Sequence, residues 1–117
     1  MGKAQRNKGV RGELLWRDVC RENGFQNVER GGQLYQRGKD IADVVGLPGI
    51  HQEVKFVERL NVRAAMEQAK RDSTDEGRGN IPIVAHKAAR KEWLVTMRAA
   101  DWFKLYKDWQ ERNTLPW

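Results

Sequence analysis

Glu53 and Lys55 stand one residue apart in the run Ile50-His51-Gln52-Glu53-Val54-Lys55-Phe56-Val57, whose β-branched and aromatic members read as a strand. Alternation along a strand puts Glu53 and Lys55 on one face and Val54 and Phe56 on the other. Unpaired charge on a buried strand face is costly, so an acid and an ammonium side by side there point to chemistry. A second β-branched run carries Asp43, and Pro48-Gly49 between the two runs supplies a turn, so the pair reads as a hairpin. Two carboxylates on neighbouring strands could hold a divalent metal through oxygen, with the Lys55 ammonium beside it. That is the outline of a hydrolytic metal site, and its oxygen-only donors suit Mg²⁺ or Mn²⁺.

Asp40 competes with Asp43 as the first carboxylate, and strand parity separates them. A plain two-residue loop at Pro48-Gly49 makes paired residue numbers sum to an odd value and puts Asp40 on the face of Glu53. A three- or five-residue loop, or one bulge, makes the sum even and puts Asp43 there with Glu53 and Lys55.

The order Asp43, then Glu53-x-Lys55, resembles the PD-(D/E)xK nuclease superfamily, and Glu13 on a helix after Asn7-Lys8-Gly9 resembles the Holliday junction resolvases within it. The likeness spans roughly residues 7 to 98. Ala42 stands where the superfamily usually has a proline before its Asp, and that proline supplies no ligand. The resemblance implies that Asp43, which directly precedes the apolar Val44-Val45, is the first ligand, and that its choice over Asp40 requires an odd loop or a bulge. It further implies that Glu13 adds a third carboxylate to the metal set of Asp43 and Glu53. Lys55 would orient the attacking water or stabilise developing charge. Gln68, on the helix after the Glu-x-Lys strand, resembles a glutamine that several members place near the site. The implied activity is a Mg²⁺-dependent DNA endonuclease, with branched DNA cut by a two-fold homodimer as the resolvase-like form. Two other readings stay open: a non-catalytic DNA-binding module with the same fold, and a basic structural or assembly protein whose carboxylates are ion-paired surface groups.

The elements that must position these residues follow from periodicity. Residues 1–8 are polar and basic and read as a flexible arm, leaving 9–117 as one domain. Val10, Leu14, Leu15 and Val19 share a helical arc that stops at Asn23-Gly24, and Glu13 lies about 60° off its edge. Strands are expected over Phe25–Glu29, Ile41–Leu47 and Ile50–Val57, with a weak extended piece over Gln33–Gln36. Asn61 caps a helix from Val62 to about Asp72, and a polar loop follows from Asp75 to Asn80. Ile81–Ala85 and Glu92–Met97 read as strands joined by a basic loop. Asp101 caps a last helix whose stripe, Trp102, Leu105, Tyr106 and Trp109, is expected to dock on the core, with a dimer surface as the alternative. The order αβββαββα is an α/β arrangement with a central mixed sheet flanked by helices, the restriction-endonuclease-like core that the resemblance implies.

Composition narrows the partners. The 117 residues carry a net charge of +6 and a pI near 9.8, which favours a polyanion. Residues 1–39 hold nine basic against four acidic side chains. Lys3, Arg6, Lys8 and Arg11 at that end, with Lys87, Arg90 and Lys91 in the basic loop, are the candidate DNA contacts. Cys20 is the sole cysteine, which excludes an intrachain disulfide and a thiolate zinc site and suggests a small packed residue. With no signal-like start and no long apolar run, a soluble cytoplasmic protein without membrane contact is expected. His51 and His86, at expected strand ends, read as ordinary surface histidines, although His51 shares the Glu53 face.

Overall fold

The computed structural model describes residues 2–31 and 42–113. Its elements are α1 (Lys3–Glu22), β1 (Glu29–Arg30), β2 (Val44–Val45), β3 (Ile50–Phe56), α2 (Val62–Glu76), β4 (Ile81–Lys87), β5 (Leu94–Met97) and α3 (Ala99–Asn113). Among the described residues the order αβββαββα is as expected, and the domain is α/β with a five-stranded mixed sheet ordered β1-β2-β3-β4-β5. Every neighbouring pair is antiparallel except β3 and β4, which are parallel. A parallel pair cannot be closed by a tight turn, so α2 serves as the crossover between them.

Val44 lies opposite Gln52, so paired numbers sum to an even value, and Asp43, the residue before β2, has the parity of Glu53. Ile50 N donates to Leu47 O at 3.0 Å, which closes a two-residue Pro48-Gly49 turn. Between that turn and the Val44–Gln52 pair the first strand carries Val45 and Gly46 against His51 alone, and this one-residue bulge is what the choice of Asp43 requires. Gly46 and Gly49 take φ of +111° and +89°, which side chains rarely adopt. At Gly46 there is also no space, because a Cβ would lie 2.6 Å from Asn27 O and 2.7 Å from Val28 Cα.

The sheet is covered on both faces. Trp16 and Cys20 of α1 pack with Val28, Val44, Val54 and Ala85 on one side. Ala65 and Ala69 of α2 pack with Val84 on the other, the side to which Glu53 belongs because it pairs with Val84. Gly12 brings α1 close to β3, since a Cβ there would be 2.6 Å from Phe56 Cβ. Trp16 Nε1 donates to the buried Gln52 Oε1 at 2.8 Å, tying helix to strand. Asn61 caps α2 by accepting from Ala64 N at 3.0 Å, as expected, and Gly77 ends it in the left-handed conformation at φ +74°.

Several boundaries differ from expectation. Helix α1 begins at Lys3, so residues 3–8 are helical rather than an arm; Ala4, Arg6 and Lys8 are good helix formers, and extending an existing helix is easier than nucleating one. Helix α2 runs on to Glu76, because Gly77 is the residue able to supply the left-handed stop. Strand β1 is Glu29–Arg30, and Phe25 is exposed. Asp101 sits inside the first turn of α3 rather than before it, buried, accepting from Arg98 Nε at 2.8 Å. The α3 stripe does not dock on the core: Trp102, Leu105, Tyr106 and Trp109 are between 39% and 51% exposed, and the rings of Trp102 and Tyr106 stack on each other at 5.4 Å. The strand expected over Gln33–Gln36, the start of the Ile41 strand, and Asp40 lie outside the described residues. No helix among the described residues is long and apolar enough to cross a membrane.

Candidate active site

Asp43 stands one residue before β2 and Glu53 in the middle of β3, and the two buried carboxyls interact directly. Asp43 Oδ2 accepts from Val54 N at 2.9 Å, which fixes the side chain against the strand that carries Glu53. Burial, and then the charge of Glu53, push the Asp43 carboxyl up to about 7; the Val54 hydrogen bond and Lys55 only partly offset them. Two carboxylates sharing a buried site resist double ionisation and attract either a proton or a cation.

Lys55 follows Glu53 on the same face, and its Nζ donates to Gln68 Oε1 at 3.1 Å. Gln68 therefore belongs to the cluster and aims the ammonium. Glu13 arrives from α1 on the opposite side of the sheet and accepts from Arg30 Nε at 2.8 Å. Burial raises its pKa, with Arg30 opposing and Asp43 adding to the rise, and it lies within electrostatic reach of Asp43 and Lys55. Asp43, Glu53, Lys55 and Gln68 are thus brought together, while Glu13 stands nearby and turned toward Arg30.

An oxygen-only carboxylate pair fits Mg²⁺, which typically takes one or two protein carboxylates and keeps several waters. Among the described residues no group of three His, Cys, Asp or Glu side chains is gathered to hold a metal. Asp43 with Glu53 is the carboxylate pair at the site, and Glu13 accepts from Arg30 beside it.

His51, expected at the surface, is fully buried. Its Nε2 lies 2.8 Å from Glu53 Oε1 and its Nδ1 3.2 Å from Glu76 Oε1. Burial draws its pKa down, but the hydrogen bonds to Glu53 and Glu76 outweigh this and leave it raised. Neither Glu76 nor Arg30 stands out in the sequence; the usable signal is parity, which places His51 on the Glu53 face. His86 lies 2.9 Å from Thr96 Oγ1, and burial lowers its pKa. Burial also pushes the Cys20 thiol up to about 11, which suits a packed core residue and not a nucleophile.

The candidate DNA contacts meet at the end of β3. Lys8 Nζ and Arg11 Cζ lie 5.3 Å and 5.9 Å from the Phe56 ring centroid, and Lys87 is the ladder partner of Phe56 in β4. Lys87, Arg90 and Lys91 line a cavity of about 540 Å³ with His86 and Leu94. Lys3 and Arg6 are exposed on the preceding turns of α1. Lys8, Arg11 and Lys87 therefore lie on the Phe56 face of the sheet, opposite to the face of Lys55, and Glu58 and Glu92 share the cavity. No protein-family model matches the chain, and no curated protein matches it.

Proposed function

We propose that this protein is a metal-dependent DNA endonuclease with a restriction-endonuclease-like core, resembling the PD-(D/E)xK enzymes and, among them, the Holliday junction resolvases. The observation that carries this reading is the buried Asp43 carboxyl beside that of Glu53, with Lys55 on the Glu53 face held by Gln68. Asp43 and Glu53 would hold Mg²⁺ or Mn²⁺. The chemistry such an ion supplies when bound is charge neutralisation at the phosphoryl oxygens and acidification of water. Lys55, kept in place by Gln68, puts an ammonium where charge develops on the phosphate. Glu13 adds negative potential from the α1 side. The basic residues around Phe56 bind the DNA backbone and carry no sequence information by themselves.

A second reading, a DNA-binding module of the same fold without catalysis, is favoured by the Glu13–Arg30 pair, which occupies one carboxylate with a guanidinium. Incubation with four-way, flap, nicked and linear DNAs in Mg²⁺, Mn²⁺ or EDTA separates the two. Cleavage in either metal and its loss in EDTA support the nuclease; binding without cleavage in all three conditions supports the module.

A further inference from the structure

We propose that His51 is a positioning residue: with Glu76 it makes α2 a bracket that fixes the Glu53 carboxylate in the orientation that faces Asp43. The inference rests on the metal-nuclease reading and deepens it. His51 has no exposed surface, and each ring nitrogen meets a carboxylate oxygen, Nε2 with Glu53 at 2.8 Å and Nδ1 with Glu76 at 3.2 Å. Burying an imidazole between two acids is a costly way to fill a core position that valine or leucine could occupy. What the imidazole does that an aliphatic side chain cannot is hold Glu53 Oε1 and so restrict rotation of the carboxylate.

The bracket has matching dimensions. From His51 to Lys55 along β3 is about 13 Å at the rise of a strand. From Gln68 to Glu76 along α2 is about 12 Å at the rise of a helix. The helix runs antiparallel to the strand, so Glu76 meets His51 at one end and Gln68 meets Lys55 at the other. Both chemical groups of the Glu-x-Lys strand are thereby braced from one rigid element, Lys55 directly and Glu53 through His51. Groups that orient ligand carboxylates in this way typically change metal affinity by about 10-fold or more when removed.

The test measures Mn²⁺ affinity by calorimetry and kcat and KM for a cleaved DNA on His51→Ala, Glu76→Ala and Glu76→Gln. Glu76→Gln retains an oxygen that accepts from His51. In the expected result both alanine variants weaken Mn²⁺ binding on the order of 10-fold and lower kcat, while KM for DNA stays within about 2-fold and Glu76→Gln recovers most of the loss. Glu76 is farther from the Asp43–Glu53 pair and, unlike His51, keeps some exposed surface, so its variants carry the test if His51→Ala fails to fold. Folded Glu76→Ala with wild-type Mn²⁺ affinity and kcat overturns the bracket while leaving the nuclease reading intact. A wild-type protein that neither binds Mn²⁺ nor cuts DNA overturns both.

Discussion

The two facing carboxylates of Asp43 and Glu53 set the pH behaviour of the apo protein. The folded-state pKa of Asp43 is near 7 against an ordinary value of 3.8, so between these values the folded chain binds more protons than the unfolded one. Its contribution to stability is then full below about pH 4 and is lost as pH rises through about 7. Thermal melts without metal should fall across that window, and Mg²⁺ should raise Tm more at about pH 8 than at about pH 5.5, because the cation replaces the proton. Asp43→Asn keeps an acceptor for Val54 N and removes the repulsion, so at about pH 8 it should raise apo stability by about 1 kcal/mol, roughly 4 °C in Tm. The same substitution, and Glu53→Gln, should lower cleavage at least about 100-fold with DNA affinity retained. Lys55→Ala should retain metal binding and lose rate; an unaltered rate would restrict Lys55 to a structural role. That Glu53 and Lys55 share a face is legible in the sequence because a strand alternates strictly. The burial of His51 is not, because it depends on Glu76, 25 residues away, on an extra turn of α2 that the polar run Asp75–Asn80 conceals.

Among elements, the β2–β3 hairpin decides which side chains share a face. Parity alone leaves Asp40 and Asp43 open, and the extra residue before the Pro48-Gly49 turn, where Gly46 takes a left-handed conformation, sets Asp43 on the parity of Glu53. Gly46→Ala should destabilise the fold by about 2 kcal/mol or more, since the new Cβ meets backbone in a conformation that alanine resists. Denaturant melts check this, and a wild-type midpoint would mean that the loop adapts. Gly12→Val should also destabilise, by pushing α1 off Phe56, and it should weaken DNA binding because Lys8 and Arg11 ride on that helix. The order of elements is legible from periodicity and turn residues. The start of α1 is not, because residues 3–8 bury no face and so carry no apolar pattern. The exposed stripe of α3 departs from expectation for the converse reason: i, i+3, i+4, i+7 spacing reports a face and does not say what covers it.

For the whole molecule, charge and surface would set how the proposed DNA substrate is met. The basic end around Phe56 should make affinity fall steeply with salt, and replacing Lys87, Arg90 and Lys91 by alanine should reduce the logarithmic salt slope by about one for each phosphate that these side chains neutralise. An unchanged slope would move phosphate binding to α1. Cutting both strands of a junction symmetrically needs two sites, so a resolvase-like role implies a two-fold dimer. The exposed Trp102, Leu105, Tyr106 and Trp109 offer a surface for it. Sedimentation at micromolar concentration should then show a dimer that Trp109→Ala breaks without unfolding; a monomer that still cuts DNA would indicate nicking rather than junction resolution. The central claim, metal-dependent hydrolysis by the Asp43–Glu53–Lys55 cluster, is tested most directly by single-turnover cleavage of a labelled four-way junction, with wild-type and Glu53→Gln proteins side by side in Mg²⁺. The expected result is cleavage by the wild type, abolished by EDTA, and at least about 100-fold slower in the variant. Equal rates in the two proteins, or cleavage that persists in EDTA, would contradict it.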